Sequence, residues 1–133
     1  KKNIKSNDLH NCLYKQSHLV GYTSLKRRKL EISNKKKWYL LFDTLIIKKN
    51  LRKKKLSSSL MIFNNNIIKE NKKVSFLICK NKLVNFYKKF LWKKISNTKF
   101  RMMDHALDKN VMFFNYSKNL NNLKKPIKIF INK

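Results

Sequence analysis

Glycine occurs once in these 133 residues, at Gly21, and proline once, at Pro126. A single glycine leaves no room for a glycine-rich phosphate loop or a dinucleotide-binding fingerprint. Cysteine is almost as scarce: Cys12 and Cys79 stand far apart, which excludes a disulfide framework and fits a reducing compartment. Apolar runs are short, Phe76-Leu77-Ile78-Cys79 being typical, so no membrane span is expected. Acidic residues number 6 against 34 Lys and Arg. Paired carboxylates for acid–base chemistry are therefore hard to assemble.

What remains is a chain of Lys, Asn and Ile with a formal net charge of +28. Its 42% hydrophobic content is too high for a disordered basic tail. At this length one domain is the default, burying roughly two-thirds of the surface its unfolded chain exposes. Lys and Asn are written by A/T-rich codons and Ala, Gly, Pro and Arg by G/C-rich ones, so the composition is that of an organellar or A/T-rich genome. Lys1 to His10 has neither the apolar stretch of a secretory signal nor the Arg-rich pattern of a transit peptide. The expected location is the mitochondrial matrix, with synthesis inside the organelle.

The periodicities predict strand, helix, strand, strand, helix, strand, strand over residues 25–133, with 1–24 as an N-terminal extension or helix. Leu30-Glu31-Ile32 alternates as a short strand; Trp38, Leu41, Phe42 and Leu45 recur as one helix face. Leu60 to Phe63 reads as a strand, Asn64-Asn65-Asn66 as a turn, and Val74 to Cys79 as a buried strand. Leu83, Phe86, Tyr87, Phe90, Leu91 and Ile95 line the clearest helix; Val111 to Tyr116 and Ile127 to Ile131 close the chain as strands. The fold class is α+β, a mostly antiparallel sheet with two helices packed on one face.

Net charge this large points to a polyanion, and the basic clusters are the candidate contacts: Lys26, Arg27, Arg28 and Lys29; Arg52, Lys53, Lys54 and Lys55, with Ser57 and Ser58 following; and Lys72 with Lys73. Arg27, Arg28 and Arg52 carry extra weight because Arg is kept against codon bias and binds phosphate bidentately. The aromatics at Trp38, Phe42, Phe86, Tyr87 and Phe90 have core spacing rather than that of a base-stacking face. His10, Cys12 and His18 fall short of a four-ligand zinc site. Asp104, His105 and Asp108 have no nucleophile motif beside them and read as turn or cap residues. No metal, no cofactor and no enzymatic activity are expected.

Four stretches together resemble the bacterial-type large-subunit ribosomal protein five, the family that binds 5S ribosomal RNA. These are Lys29-Leu30-Glu31-Ile32-Ser33; Leu45-Ile46-Ile47 with Lys49 to Ser59; Phe76-Leu77-Ile78 with Leu83-x-x-Phe86-Tyr87; and Phe114-Asn115-Tyr116 with Ile127 to Ile131. They cover residues 25 to 131 in the family's order. The resemblance implies a structural constituent of an organellar large ribosomal subunit at the central protuberance. Lys26 to Lys29 and Arg52 to Ser58 would sit on large-subunit or 5S ribosomal RNA, and Asn64 to Lys73 would approach P-site transfer RNA. A small-subunit bridge protein is the further implied partner. The competing expectations are a small-subunit protein of the same ribosome, or a free cationic nucleic-acid-binding protein.

Overall fold

A computed structural model describes residues 8–49, 56–106 and 109–133. Three strands open the chain: β1 (Leu9–Lys15), β2 (His18–Ile32) and β3 (Lys35–Ile47). Helix α1 (Leu56–Glu70), strand β4 (Ser75–Cys79) and helix α2 (Asn81–Lys88) follow. Short strands β5 (Lys93–Lys94), β6 (Phe100–Met102), β7 (Asn110–Phe114) and β8 (Ile127–Ile129) complete it. The sheet runs β5-β7-β4-β3-β2-β8-β6, with β1 also paired to β2. Its ladders are antiparallel except β3–β4 and β6–β8. The α+β class with a mostly antiparallel sheet is what the sequence implied.

Four element assignments need correcting. Residues 9–15 and 18–24, expected as an N-terminal extension or helix, lie in β1 and β2. Helix α2 ends at Lys88, so Leu91 and Ile95, expected on its apolar face, lie beyond it: Leu91 is exposed and Ile95 joins the core of the other side. Residues 38–45 lie in β3, not in a helix. Both faces of this central strand are buried: Tyr39 and Leu41 join one core cluster, Leu40 and Phe42 the other. A strand covered on both sides shows a continuous apolar run instead of alternation, and such a run is easily read as a helix. Residues 60–66, expected as a strand and a turn, lie in α1. Its buried positions are Leu60, Met61, Asn64, Asn65 and Ile68. That is one helical stripe, disguised by two asparagines. The segment from Asn64 to Lys73 is thus helix and turn, not a projecting loop.

Each asparagine is anchored. Asn65 donates through Nδ2 to the Phe90 carbonyl (2.9 Å) and accepts from Trp92 Nε1 (3.0 Å), tying α1 to the segment after α2. Asn64 Oδ1 accepts from Asn11 Nδ2, which also donates to Thr23. The lone glycine has a packing reason. A Cβ on Gly21 would lie 3.0 Å from Ile47 Cδ1 and 3.1 Å from Leu60 Cδ2, so a side chain there would require those two side-chain ends, from β3 and α1, to give by a few tenths of an ångström. The two long hairpins, by contrast, turn without glycine, on Gln16-Ser17 and Ser33-Asn34, all four with positive φ.

On the other face, Tyr39 and Arg28 hold the C-terminal strand. The Tyr39 hydroxyl donates to the Phe130 carbonyl at 2.6 Å, and burial pushes its phenol far up from the ordinary range. Arg28 Nε donates to the Ile131 carbonyl at 2.7 Å, and Nη1 pairs with Asp8 at 3.3 Å. Both members of that ion pair are buried. Removing one partner of a buried pair strands the other charge, so Arg28→Ala is expected to cost about 3–5 kcal/mol in urea unfolding. Lys128→Ala, which loses only a partly exposed 3.9 Å contact with Glu31, should cost less than about 1 kcal/mol.

Candidate active site

The site begins where β3 and β4 part. Their parallel ladder has three rungs, Leu40 with Ser75, Leu41 with Phe76 and Phe42 with Leu77. Beyond Phe42 the partnership with β2 slips by one residue: Leu25 faces Phe42, and Ser24 faces Thr44. Asp43 is the extra residue, a bulge that bends β3 and changes its twist. It is fixed by Lys26, whose ammonium lies 3.0 Å from the carboxylate. The β3–β4 ladder stops there, although β3 continues to Ile47 and β4 to Cys79. Past Phe42 and Leu77 the two parallel strands share no ladder, and this break in mid-sheet is the slot.

Aromatic rings wall the slot on the helix side. Tyr87 of α2 meets Phe42 edge-on at 6.1 Å between ring centroids and Phe86 at 5.1 Å. Trp92 lies 5.8 Å from Phe42 and stacks on Phe114 at 5.3 Å, held by Asn65. The Tyr87 hydroxyl is pushed up to about 12, first by burial and second by the neighbouring Cys79. Burial also raises the Cys79 thiol, partly offset by Lys94. Both groups therefore stay protonated and uncharged at neutral pH.

Helix α1 follows β3 in sequence, and its first turn carries Ser57, Ser58 and Ser59 with no acidic residue. Free N–H groups at such a terminus favour anions. Positions 50–55, which join β3 to α1 in sequence, include Arg52, Lys53, Lys54 and Lys55 and lie outside the described residues.

The other basic candidates do not form one surface. Lys26 and Arg28 are buried in ion pairs with Asp43 and Asp8. Arg27 stacks 4.1 Å over the Trp38 ring, with Lys29 5.4 Å from the same centroid. Alternation along β2 sends neighbours to opposite faces. Lys72 and Lys73 border a groove of about 780 Å³ with Lys37 and Lys93, at the end of β4 away from the slot. Asp104 accepts from the Ile131 and Asn132 amides at 2.8 and 3.0 Å, a capping role as expected. His105 lines a separate cavity, and Asp108 lies outside the described residues. His10 bonds Tyr22 rather than sharing a site with Cys12 and His18.

Sequence reasoning passed over Tyr87 as core and missed the slot altogether. The available signal was a strand running into a basic loop and then a Ser-rich helix start. Misreading β3 as a helix hid it.

No protein-family profile matches the sequence, and no curated protein sequence does either. Solved structures with this fold do exist. The GNAT-family N-acetyltransferase YhbS from Escherichia coli, in complex with CoA, aligns with a TM-score of 0.64 at 11% identity over 86% of this chain and 62% of its own. Bacillus subtilis N-acetyltransferase YlbP with coenzyme A gives 0.57 at 15% over 79% and 66%. A tyrosine-to-phenylalanine mutant of the toxin AtaT, bound to acetyl-CoA and the C-terminus of the antitoxin AtaR, gives 0.55 at 17% over 72% and 58%. The chain spans about three-fifths of the length of the first structures it matches. Its fold is that of the GNAT acetyltransferases.

That finding overturns the ribosomal expectation. The resemblance to ribosomal protein five rested on short apolar–basic segments, one of which runs from the end of the misassigned β3 to the start of α1. Ribosomal RNA, transfer RNA and a bridge protein are withdrawn as partners. The expectation of a chain without enzymatic activity is withdrawn as well, because the structures that share the fold are N-acetyltransferases with CoA or acetyl-CoA bound.

The raised Tyr87 value has a testable consequence. Between about pH 10 and 12 the unfolded chain has released this proton while the native state keeps it, so stability falls as pH rises through that window. Tyr87→Phe should make the dependence one proton shallower there, measured as urea midpoints across that range, and leave it unchanged near neutrality.

Proposed function

We propose that this chain binds acetyl-CoA and transfers its acetyl group to an amine. The observation carrying the reading is the slot opened by the Asp43 bulge between two parallel strands, with Tyr87 at its head and the acid-free start of α1 following β3. The CoA-bound structures that share this fold support it.

The residues fit this substrate part by part. A pantetheine arm is slender and carries amides, which suits a gap bordered by strand backbone. Its pyrophosphate suits a helix N-terminus with serine hydroxyls and no carboxylate. Arg52, Lys53, Lys54 and Lys55, first singled out for a polyanion, are adjacent in sequence to that turn and are assigned to these phosphates together with Ser57 and Ser58. The anion they serve is a nucleotide thioester in place of a nucleic acid.

Transfer joins the amine nitrogen to the carbonyl carbon while the carbon–sulfur bond breaks and sulfur leaves with the electron pair. The amine gives up one proton, and the thiolate finally gains one. Tyr87 keeps its proton at neutral pH, so it can donate a hydrogen bond to the departing sulfur. An ordinary thiolate is a weaker base than a phenolate whose acid has been pushed up to about 12. Tyr87 therefore stabilises developing charge and does not surrender its proton outright.

Calorimetry with CoA and a thiol-release assay with acetyl-CoA test the reading. Tyr87→Phe should lower kcat by about 10²–10³-fold, the typical loss on removing one such donor, with CoA affinity nearly unchanged. Ser57→Asp with Ser58→Asp should weaken CoA binding tenfold or more, about 1.4 kcal/mol. The same change complements the helix dipole, so α1 should be no less stable by circular dichroism melts. A wild-type chain that binds no CoA would end the proposal.

A further inference from the structure

A cavity of about 940 Å³ opens at the C-terminal end of β4, on the side of the sheet away from the helices. Its wall includes Lys80 and Asn81, which directly follow Cys79, together with Lys94 of β5, Asn97, Lys109 and Asn110. Phe100 and Met102 of β6 form the apolar part, and both pack on the core cluster of that same side. The slot and this cavity adjoin at the end of β4, where Cys79 is followed directly by the cavity residue Lys80. Lys94 acts electrostatically on the Cys79 thiol from the cavity wall, and Cys79 on the Tyr87 hydroxyl from the slot.

The wall has a definite chemistry. Lys80, Lys94 and Lys109 have no ion-pair partner among the described residues, and no carboxylate lies in the described wall. Asn110 is 8% exposed, and its amide donates to Asn81 Oδ1 at 2.5 Å, so these two amides are preset and do not float with solvent. Three ammonium groups around one cavity repel a polycation and attract an anion, most strongly where the walls exclude water. They also disfavour the protonated form of an incoming amine, which leaves more of it as the free nucleophile.

We infer that this cavity takes the acceptor, and that the acceptor is an amine bearing a carboxylate or phosphate, oriented by Lys80, Lys94 and Lys109. The inference rests on the acetyl-transfer reading and adds the substrate class to it. The anionic group sits among the lysines; the amine faces the slot at Cys79, where the acetyl group arrives from the other side of the sheet. Polyamines are rejected by the same charges.

Thiol release from acetyl-CoA, measured on the full chain with matched acceptors, tests this. One pair is phosphoethanolamine against ethanolamine, a second is glycine against glycinamide, and spermidine is the cationic comparison. The anionic member of at least one pair should show a kcat/KM tenfold or more above its neutral partner and above spermidine; which pair responds separates phosphate from carboxylate. Replacing Lys80, Lys94 and Lys109 together by Gln, at exposed positions where folding is checked by circular dichroism, should collapse that ratio to within about threefold while KM for acetyl-CoA stays put. Equal or better use of the neutral or cationic amines overturns the inference and leaves acetyl transfer intact, as does a ratio that survives the triple substitution. CoA binding without thiol release from any of these amines also overturns the acceptor class. No CoA binding removes the parent reading with it.

Discussion

One displaced residue organises this molecule. Asp43 is one residue too many for the β2–β3 ladder, and the Lys26 ammonium holds it in place. The bulge bends β3 at the point where its pairing with β4 ends. The β3–β4 ladder ends after three rungs, level with the bulge, and Tyr87 of α2 packs on Phe42 at its last rung. Tyr87 and Trp92 pack on Phe42, and Asn65 holds Trp92. A buried-edge ion pair usually contributes little net stability; here it sets a shape.

Charge is divided between two uses. The few carboxylates in the described residues mostly serve the architecture: Asp8 meets Arg28, Asp43 meets Lys26, Glu31 meets Lys128, and Asp104 caps two amides of the C-terminal segment. The lysine surplus is left for solvent and ligands. An overall charge of +28 therefore did not have to mean a nucleic acid. The proposed nucleotide thioester and anionic acceptor would draw on the same physics at two small places.

How much of this was legible in the sequence follows from burial. The strands at 75–79, 110–114 and 127–129 and the helix beginning at Asn81 were readable because each has one dominant apolar face or a short unbroken run. Strand β3 was not, because both its faces are covered. Helix α1 was not, because Asn64 and Asn65 occupy core positions where a reader expects leucine. The partners of these asparagines are far away in sequence, Asn11 and Trp92 among them, and Asn64 Nδ2 is buried with no partner among the described residues. The slot is a relation between strands, and no single segment announces it. The lysine blocks were visible; their dispersal over two faces and two ends was not.

The hairpins built on Gln16-Ser17 and Ser33-Asn34 show what a glycine-starved vocabulary does to a fold. Left-handed backbone on ordinary residues costs about 1–2 kcal/mol apiece, and Leu91 adopts it as well while 71% exposed. The chain carries that strain at its corners instead of in its core. Its corners are consequently the places where a richer alphabet, with glycine restored, would make the protein sturdier without touching its chemistry.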